Sequence, residues 1–541
     1  MKTRNILILS AVLATLASCN DSFLDTMPDN RAEVDTPEKV KAMLVSAYAT
    51  KHYAQSAEMY SDNMDDNAMV VNNASPGRYY EQIWNWEDIT ETANDSPDNV
   101  WSNNWLAIAA ANQALEAIEE LGGKDDPRLS ASYGEALLCR AYGHFVLVNM
   151  FCLNYNKATS ATDQGIPYME NVEEGLNPQY SRGNVAEVYE KIEKDIEEGL
   201  KYVADNYSVP KYHFTRQAAY AFATRFYLFY EKWDKAVEAA NNCLGTAPQA
   251  LLRDNDALQH KPDIQTAAAL YVASDQKCNL LLQTNMSPYM GRNTWRNTSG
   301  ASKRYAFTTE IAKSEVLYAK LPWMINGVTG SSYRFQPHNY NASALHYTLV
   351  WKVPNLFEYT DPVAGRGYTQ TIVATFTTDQ VLLERAEAYA MLKEYDKACE
   401  DLELWVSNTY VPGNSKITFD LTPEGIRDFF RTMEYYTWDV PTPRKHLHPG
   451  FAIEEEGSVQ ESMLQAILAA KRIETLAYGY RWFDIKRYGI EIYRRHVSSN
   501  SQLDHISDTM TPGDLRRAFQ VPQKARDAGF EATRREQADN N

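Results

Sequence analysis

The chain has 541 residues, 44% of them hydrophobic and 23% charged, which suits either several domains or one large helical fold. Its net charge of −18, without basic runs, excludes a nucleic-acid binder, because phosphates require clustered Lys and Arg. The same charge excludes direct electrostatic adsorption to anionic lipid.

Lys2 and Arg4 precede an apolar run from Ile6 to Ser18. That run is shorter than the roughly 20 residues a bilayer span needs, so it reads as a targeting segment. Leu16-Ala17-Ser18-Cys19 is similar to a bacterial lipobox, with Cys19 lipidated as the first mature residue. Residues 1–18 are then signal peptide and 19–35 lipid anchor and leader. No other stretch approaches span length, so the chain beyond Cys19 is expected to be water-soluble. Cys139, Cys152, Cys243, Cys278 and Cys399 are widely spaced and form no CxxC. They read as buried thiols, with one disulfide left open.

Thr36-Pro37-Glu38 predicts an N-cap with proline at the first helical position, and a helix to about Lys51. Residues 60–104 read as irregular. Trp105, Ile108, Asn112, Leu115 and Ile118 predict a helix that stops at Gly122-Gly123. Further helices are predicted at about 129–152, from the cap pair Asn184 and Glu187 to about Leu200, at 215–230 and at 233–244. "YLFYEKWDKA" and "YAMLKEYDKA" then recur 162 residues apart, ending at Ala236 and Ala398. Each reads as helix, tight turn, helix, with an aromatic after the turn and an alanine at the crossing. That is a tetratricopeptide-like pattern. The two copies are expected to be helix pairs separated by a large insertion, about 250–375, without clear helical period. A second irregular stretch covers about 408–457. One strong helix is predicted at about 459–487, with a polar, frayed tail over 526–541.

Tyrosine (35) and tryptophan (11) are abundant, and many sit in polar, irregular stretches that a core does not explain. "SPGRYYEQIWNWEDI", Ser75 to Ile89, offers Arg78, Tyr79, Tyr80, Trp84 and Trp86. In an extended segment Trp84 and Trp86 would face one side. Tyr289, Trp295 and Trp323 are further candidates in the insertion. An indole or phenol ring matches the C–H face of a pyranose, and polar neighbours satisfy its hydroxyls. Trp233, Trp405 and Trp482 read as core. His446 and His448 lack a third metal ligand. The Asp62–Asn67 cluster lacks EF-hand spacing and reads as helix capping, with calcium the other option. No HExxH, GxSxG or P-loop occurs, so no catalytic residue, metal site or cofactor is expected.

Several segments, in order, resemble the SusD/RagB family of outer-membrane nutrient-binding lipoproteins. They are the lipobox with "CNDSFLD"; "EALLCRAYGHFVLVNMF" from Glu135; "GIPY" at 165–168; "RGNVAEVYEKIEKDIEEGLKYV" from Arg182; "QVLLERAEAYAMLKEYDKA" from Gln380; and "AAKRIETLAYGYRWFDIKRYG" from Ala469. Lys471-Arg472, Tyr478-Gly479 and "QVPQKARDAGF" depart from the family pattern. The resemblance implies a mainly α, tetratricopeptide-like helical-repeat scaffold, about 36–250 and 376–525 of a single 36–525 fold, with the insertion as an irregular, loop-rich ligand-binding lobe. It also implies a non-enzymatic role: the lipid on Cys19 holds the protein at the outer membrane, facing outward. There it binds oligosaccharide or polysaccharide and delivers it to a SusC-like TonB-dependent transporter. Peptide uptake on the same scaffold is the alternative reading, and a lipid-anchored hydrolase is disfavoured.

Overall fold

The computed structural model describes residues 34–72, 75–173, 180–287, 303–324, 333–334, 340–342, 346–418 and 420–536. Cys19, Tyr289 and Trp295 lie outside them.

The N-caps fall where the sequence puts them. The Thr36 hydroxyl accepts from the Lys39 amide and Pro37 opens the helix Pro37–Leu44, which tightens into a 3-10 turn over Val45–Ala47. Asn184 accepts from the Glu187 amide and starts Val185–Tyr202. The stripe from Trp105 belongs to a longer helix, Pro97–Glu120, capped by Ser96. Ser130–Phe151 is buried on nearly every side. It crosses Val185–Tyr202 at Gly134, where a Cβ would come within 2.4 Å of the Val203 amide nitrogen, so only glycine permits the approach.

The two repeat copies share one helix–turn–helix layout. Arg216–Phe229 and Trp233–Leu244 form the first pair, Thr378–Met391 and Tyr395–Thr409 the second. Separated in sequence by the insertion, the two pairs stack directly on each other. Trp233–Leu244 packs on Thr378–Met391, and Arg385 donates to Asn241 at 2.8 Å. The insertion between them in sequence leads into the second pair through strand Arg366–Thr377.

That insertion is more regular than its sequence suggests. It holds helices Asn255–Gln259, Ile264–Tyr271 and Thr309–Ser314. Strand Asn279–Asn285 pairs antiparallel with Arg366–Thr377, which pairs in turn with Leu356–Asp361. The long strand runs straight into the second repeat through a capping box of Thr377 and Gln380. A second sheet orders Tyr305–Ala306, Asp65–Asp66, Ile492–Val497 and Leu503–Met510. The helix expected over 459–487 is two, Val459–Glu474 and Tyr480–Arg487. Ala477 and Gly479 take positive φ between them, and a Cβ on Gly479 would collide with Ala54 and Ala57.

Buried cations cap helix C-termini, where the last carbonyls lack partners and the helix dipole is negative. Arg494 donates to the Tyr60 and Ser61 carbonyls at 3.0 and 2.9 Å, Lys352 to Ile473 and Glu474, and Lys486 to Asn149 and Cys152. Burial brings Lys486 down to about 7 and Arg494 to about 9. The five cysteines between Cys139 and Cys399 are buried, unpaired thiols. No helix among the described residues is long and apolar enough to cross a membrane.

Candidate functional site

The segment Ser75–Ile89 is not extended. Arg78–Trp84 is a helix and Trp86 turns back with φ 56°. Trp84 and Trp86 therefore share no extended face, and both indoles face inward. Trp84 stacks on Tyr305 with centroids 4.9 Å apart, and its Nε1 donates to the Met64 carbonyl at 3.4 Å. Trp86 donates to the Tyr60 carbonyl at 3.0 Å, and the Arg494 guanidinium lies 3.9 Å from its ring centroid. Tyr79 is buried, with its hydroxyl donating to the Asp95 carbonyl. Trp323 is fully buried, edge-on to Trp405 at 5.9 Å. These four expected ligand residues are core residues, because their ring faces are covered by protein. The four-residue spacing of Tyr79 and Ile83, both buried on the helix Arg78–Trp84, is the helical signal that could have shown the segment folding inward. Arg78 stays exposed and Tyr80 half-buried, packed against Tyr79. Trp405 and Trp482 are core as expected, while Trp233 is half-buried against Phe451.

The Asp62–Asn67 cluster neither caps a helix nor presents an open cation site. Asp62 is paired with Arg481 (2.8 Å), Arg472 (3.3 Å) and Lys445 (3.8 Å). Glu315 meets Lys445, Arg495 and Arg472, and Asp65 meets Arg495. Three buried carboxylates thus face four buried cations, joining the 60s segment and the insertion to the C-terminal helices. Burial opposes ionisation of Asp62, but the two guanidiniums and Lys445 outweigh it and hold the carboxyl well below the usual range. The same balance holds Glu315 at about 2, while burial brings Lys445 down to about 7. Lys471, a departure from the family pattern, bridges Glu387 and Asp484 at 2.6 and 2.7 Å. Sequence reasoning missed this network, in which Asp62 meets Arg472 and Arg481 from 410 and 419 residues away. No group of three or more metal-ligating side chains occurs among the described residues. His446 pairs with Glu456 and stacks on Tyr435.

A cleft of about 200 Å³ borders the segment that follows Trp86. Tyr60, Ile89 and Phe519 give it apolar lining, and Glu87, Gln520 and Lys524 provide polar groups. The C-terminal tail, expected to be frayed, closes one side. Arg535 donates to the Trp86 carbonyl at 2.6 Å and the Tyr60 hydroxyl at 2.7 Å, and pairs with Asp88. Thr533 is buried and accepts from Arg182 at 3.0 Å.

A larger cleft, about 480 Å³, is lined by the loop 166–173 and by Tyr180, Glu187 and Lys191. Its wall is fixed from behind. Asn112 donates to the Met169 and Asn171 carbonyls, Arg140 to the Glu170 carbonyl, and His144 accepts from the Met169 amide. Arg140 is itself held by a bidentate pair with Asp195, both contacts 2.7 Å. Burial raises the Glu170 carboxyl, but Lys191 at 2.7 Å outweighs this and leaves it lowered.

Residues 22–228 match the family described as "SusD-like_3: Starch-binding associating with outer membrane". No curated protein matches the chain. Among solved structures, the chain is similar to a SusD superfamily protein from Bacteroides fragilis, at 17% identity and TM-score 0.60, over 91% of this chain and 98% of that one. It is similar to a SusD-like carbohydrate binding protein from Bacteroides vulgatus, at 13% identity and TM-score 0.59, over 91% and 96%. A laminarin binding SusD-like protein follows at 14% identity and TM-score 0.53, over 92% and 98%. At these identities the likenesses carry the fold. The likenesses show a SusD-like fold, mainly helical with a loop-rich insertion, and the family match covers its N-terminal part.

Proposed function

We propose that the protein captures oligosaccharide or polysaccharide at the outer membrane and passes it, chemically unchanged, to a SusC-like TonB-dependent transporter. The observation that carries the reading is the SusD-like fold across nearly the whole chain, joined to a starch-binding family match. A glycan-binding neighbour of the same fold, the laminarin binding protein, supports it. In this reading Cys19 carries the lipid, the protein faces the exterior, and residues 36–525 act as one unit whose 250–375 insertion belongs to the ligand lobe. The clefts beside the segment that follows Trp86 and beneath loop 166–173 combine ring or aliphatic surface with hydrogen-bonding side chains, as sugar recognition requires. Single-site affinity is micromolar to millimolar, on the order of −8 to −4 kcal/mol. Tethering beside the transporter compensates through effective concentration.

The test is calorimetric titration of the soluble protein, begun after Cys19, with a panel of polysaccharides and peptides. Saturable binding of a glycan without cleavage products supports the reading. Binding of peptides alone would transfer the scaffold to peptide uptake, and sustained turnover would make it an enzyme.

A further inference from the structure

Three of the large hydrophobic side chains most open to solvent lie on one β-hairpin of the insertion. Phe357 is 48% exposed, Tyr359 58% and Val363, at the turn, 99%. The hairpin joins Leu356–Asp361 to Arg366–Thr377, and its outer strand is exposed along nearly its whole length. Phe357 and Tyr359 alternate along that strand, so both rings stand on one face. Their centroids are 4.9 Å apart at an interplanar angle of 70°.

Their cross-strand partners are Thr369 and Gly367. Gly367 needs no unusual backbone angle. What it provides is room: a Cβ there would meet the Glu358 carbonyl and would stand 2.7 Å from Cε1 of Phe357. The glycine lets the phenyl ring lie across the ribbon. The result is an uncharged face of two rings, a threonine and a glycine. The charged Glu358 falls on the opposite face, where the Tyr368 hydroxyl donates to it. The turn is fixed in advance. The Asp361 carboxylate accepts from the Val363 and Ala364 amides at 3.1 and 2.9 Å, and Gly365 takes the left-handed conformation.

We infer that this hairpin is a second glycan-binding platform, which stacks a neutral polysaccharide on Phe357 and Tyr359; the inference rests on the glycan reading above. Two arguments select that ligand. The face is uncharged on a strongly acidic chain, which suits a neutral sugar and gives no purchase to an anionic or cationic one. The face is also small. Two aromatic side chains bury about 150–250 Å² each, well below the roughly 1,000 Å² that a specific protein interface needs. A polysaccharide needs no more, because a weak second contact on the same chain multiplies the first.

The test compares wild-type protein with Phe357→Ala, Tyr359→Ala and the double variant. Affinity gels and calorimetry with starch, laminarin and their short oligosaccharides provide the readout. Both rings are exposed, so the variants should melt with the wild type; a shared melting curve establishes that they fold. The double variant should bind the polysaccharide about tenfold more weakly, with short oligosaccharides held at the other site unaffected. Unchanged polysaccharide affinity in the folded double variant, with wild type binding, overturns the platform and leaves the glycan reading standing. If wild type binds no glycan, the glycan reading fails and the platform fails with it.

Discussion

Glu231 and Lys393, 162 residues apart, occupy the same place in two copies of one turn. Each takes the left-handed conformation, with φ 59° and 63°. Each is followed by the same closing bond, Lys232 N to Tyr227 O and Glu394 N to Tyr389 O, both 2.9 Å. This is a helix C-cap in which glycine is the usual residue. Both copies keep a long side chain there and bear the steric cost.

That cost is recoverable. Glu231→Gly and Lys393→Gly should each raise stability by up to about 1 kcal/mol, since glycine enters this conformation freely. Lys393 loses an exposed pair with Glu454, which contributes little. Equilibrium denaturation checks it, and a loss of stability in both variants would show that the turns are held by their side chains.

Trp86→Ala should destabilise the fold rather than merely remove a surface contact. Its indole fills the core over Arg494, so truncation leaves a cavity and costs about 3–5 kcal/mol. A variant that melts with the wild type would return Trp86 to the list of surface residues.

The buried charge network makes an opposite case to surface ion pairs. Asp62→Asn leaves Arg472 and Arg481 buried without their shared carboxylate, a loss of about 3–5 kcal/mol. Glu315→Gln acts on the same cluster, so the two losses should fall short of additive in a double-mutant cycle.

Stability should fall most steeply with acid below about pH 4.5. Glu315 and Glu387 titrate near 2 in the folded chain, held there against burial by Lys445, Arg495 and Arg472 and by Arg487 and Lys471. Unfolded, they bind protons from about 4.5, so the unfolded state is favoured as pH drops through that window. Between about 6.5 and 4.5 opposing groups flatten the curve. Burial holds His52 and His144 at about 3, which lowers stability as pH falls; it raises Asp95 and Asp379 to about 6, which increases it. Thermal melts across pH 7 to 2 check the profile, and a steep loss above pH 5 contradicts it.

Local signals were legible and distant ones were not. Thr36, Pro37 and Asn184 announce helix starts because a cap is a contact within three residues. The repeat was legible because its turn chemistry recurs at a fixed offset. The partners of Asp62 are Arg472 and Arg481, and nothing local in either segment encodes that meeting. The same holds for Arg535, which reads as a frayed polar tail until Trp86 and Asp88 come to meet it. The tryptophans misled for a different reason. Polar neighbours such as Asn85 and Glu87 made the segment look like surface, while its helical turn and the reversal at Trp86 put the rings inside.

The most direct test of the central claim is calorimetric titration of the soluble protein, begun after Cys19, with neutral polysaccharides, the products examined for cleavage. The account predicts saturable binding of at least one glycan, micromolar to millimolar, with the polymer recovered intact. No binding to any glycan, with peptides bound instead, would contradict it.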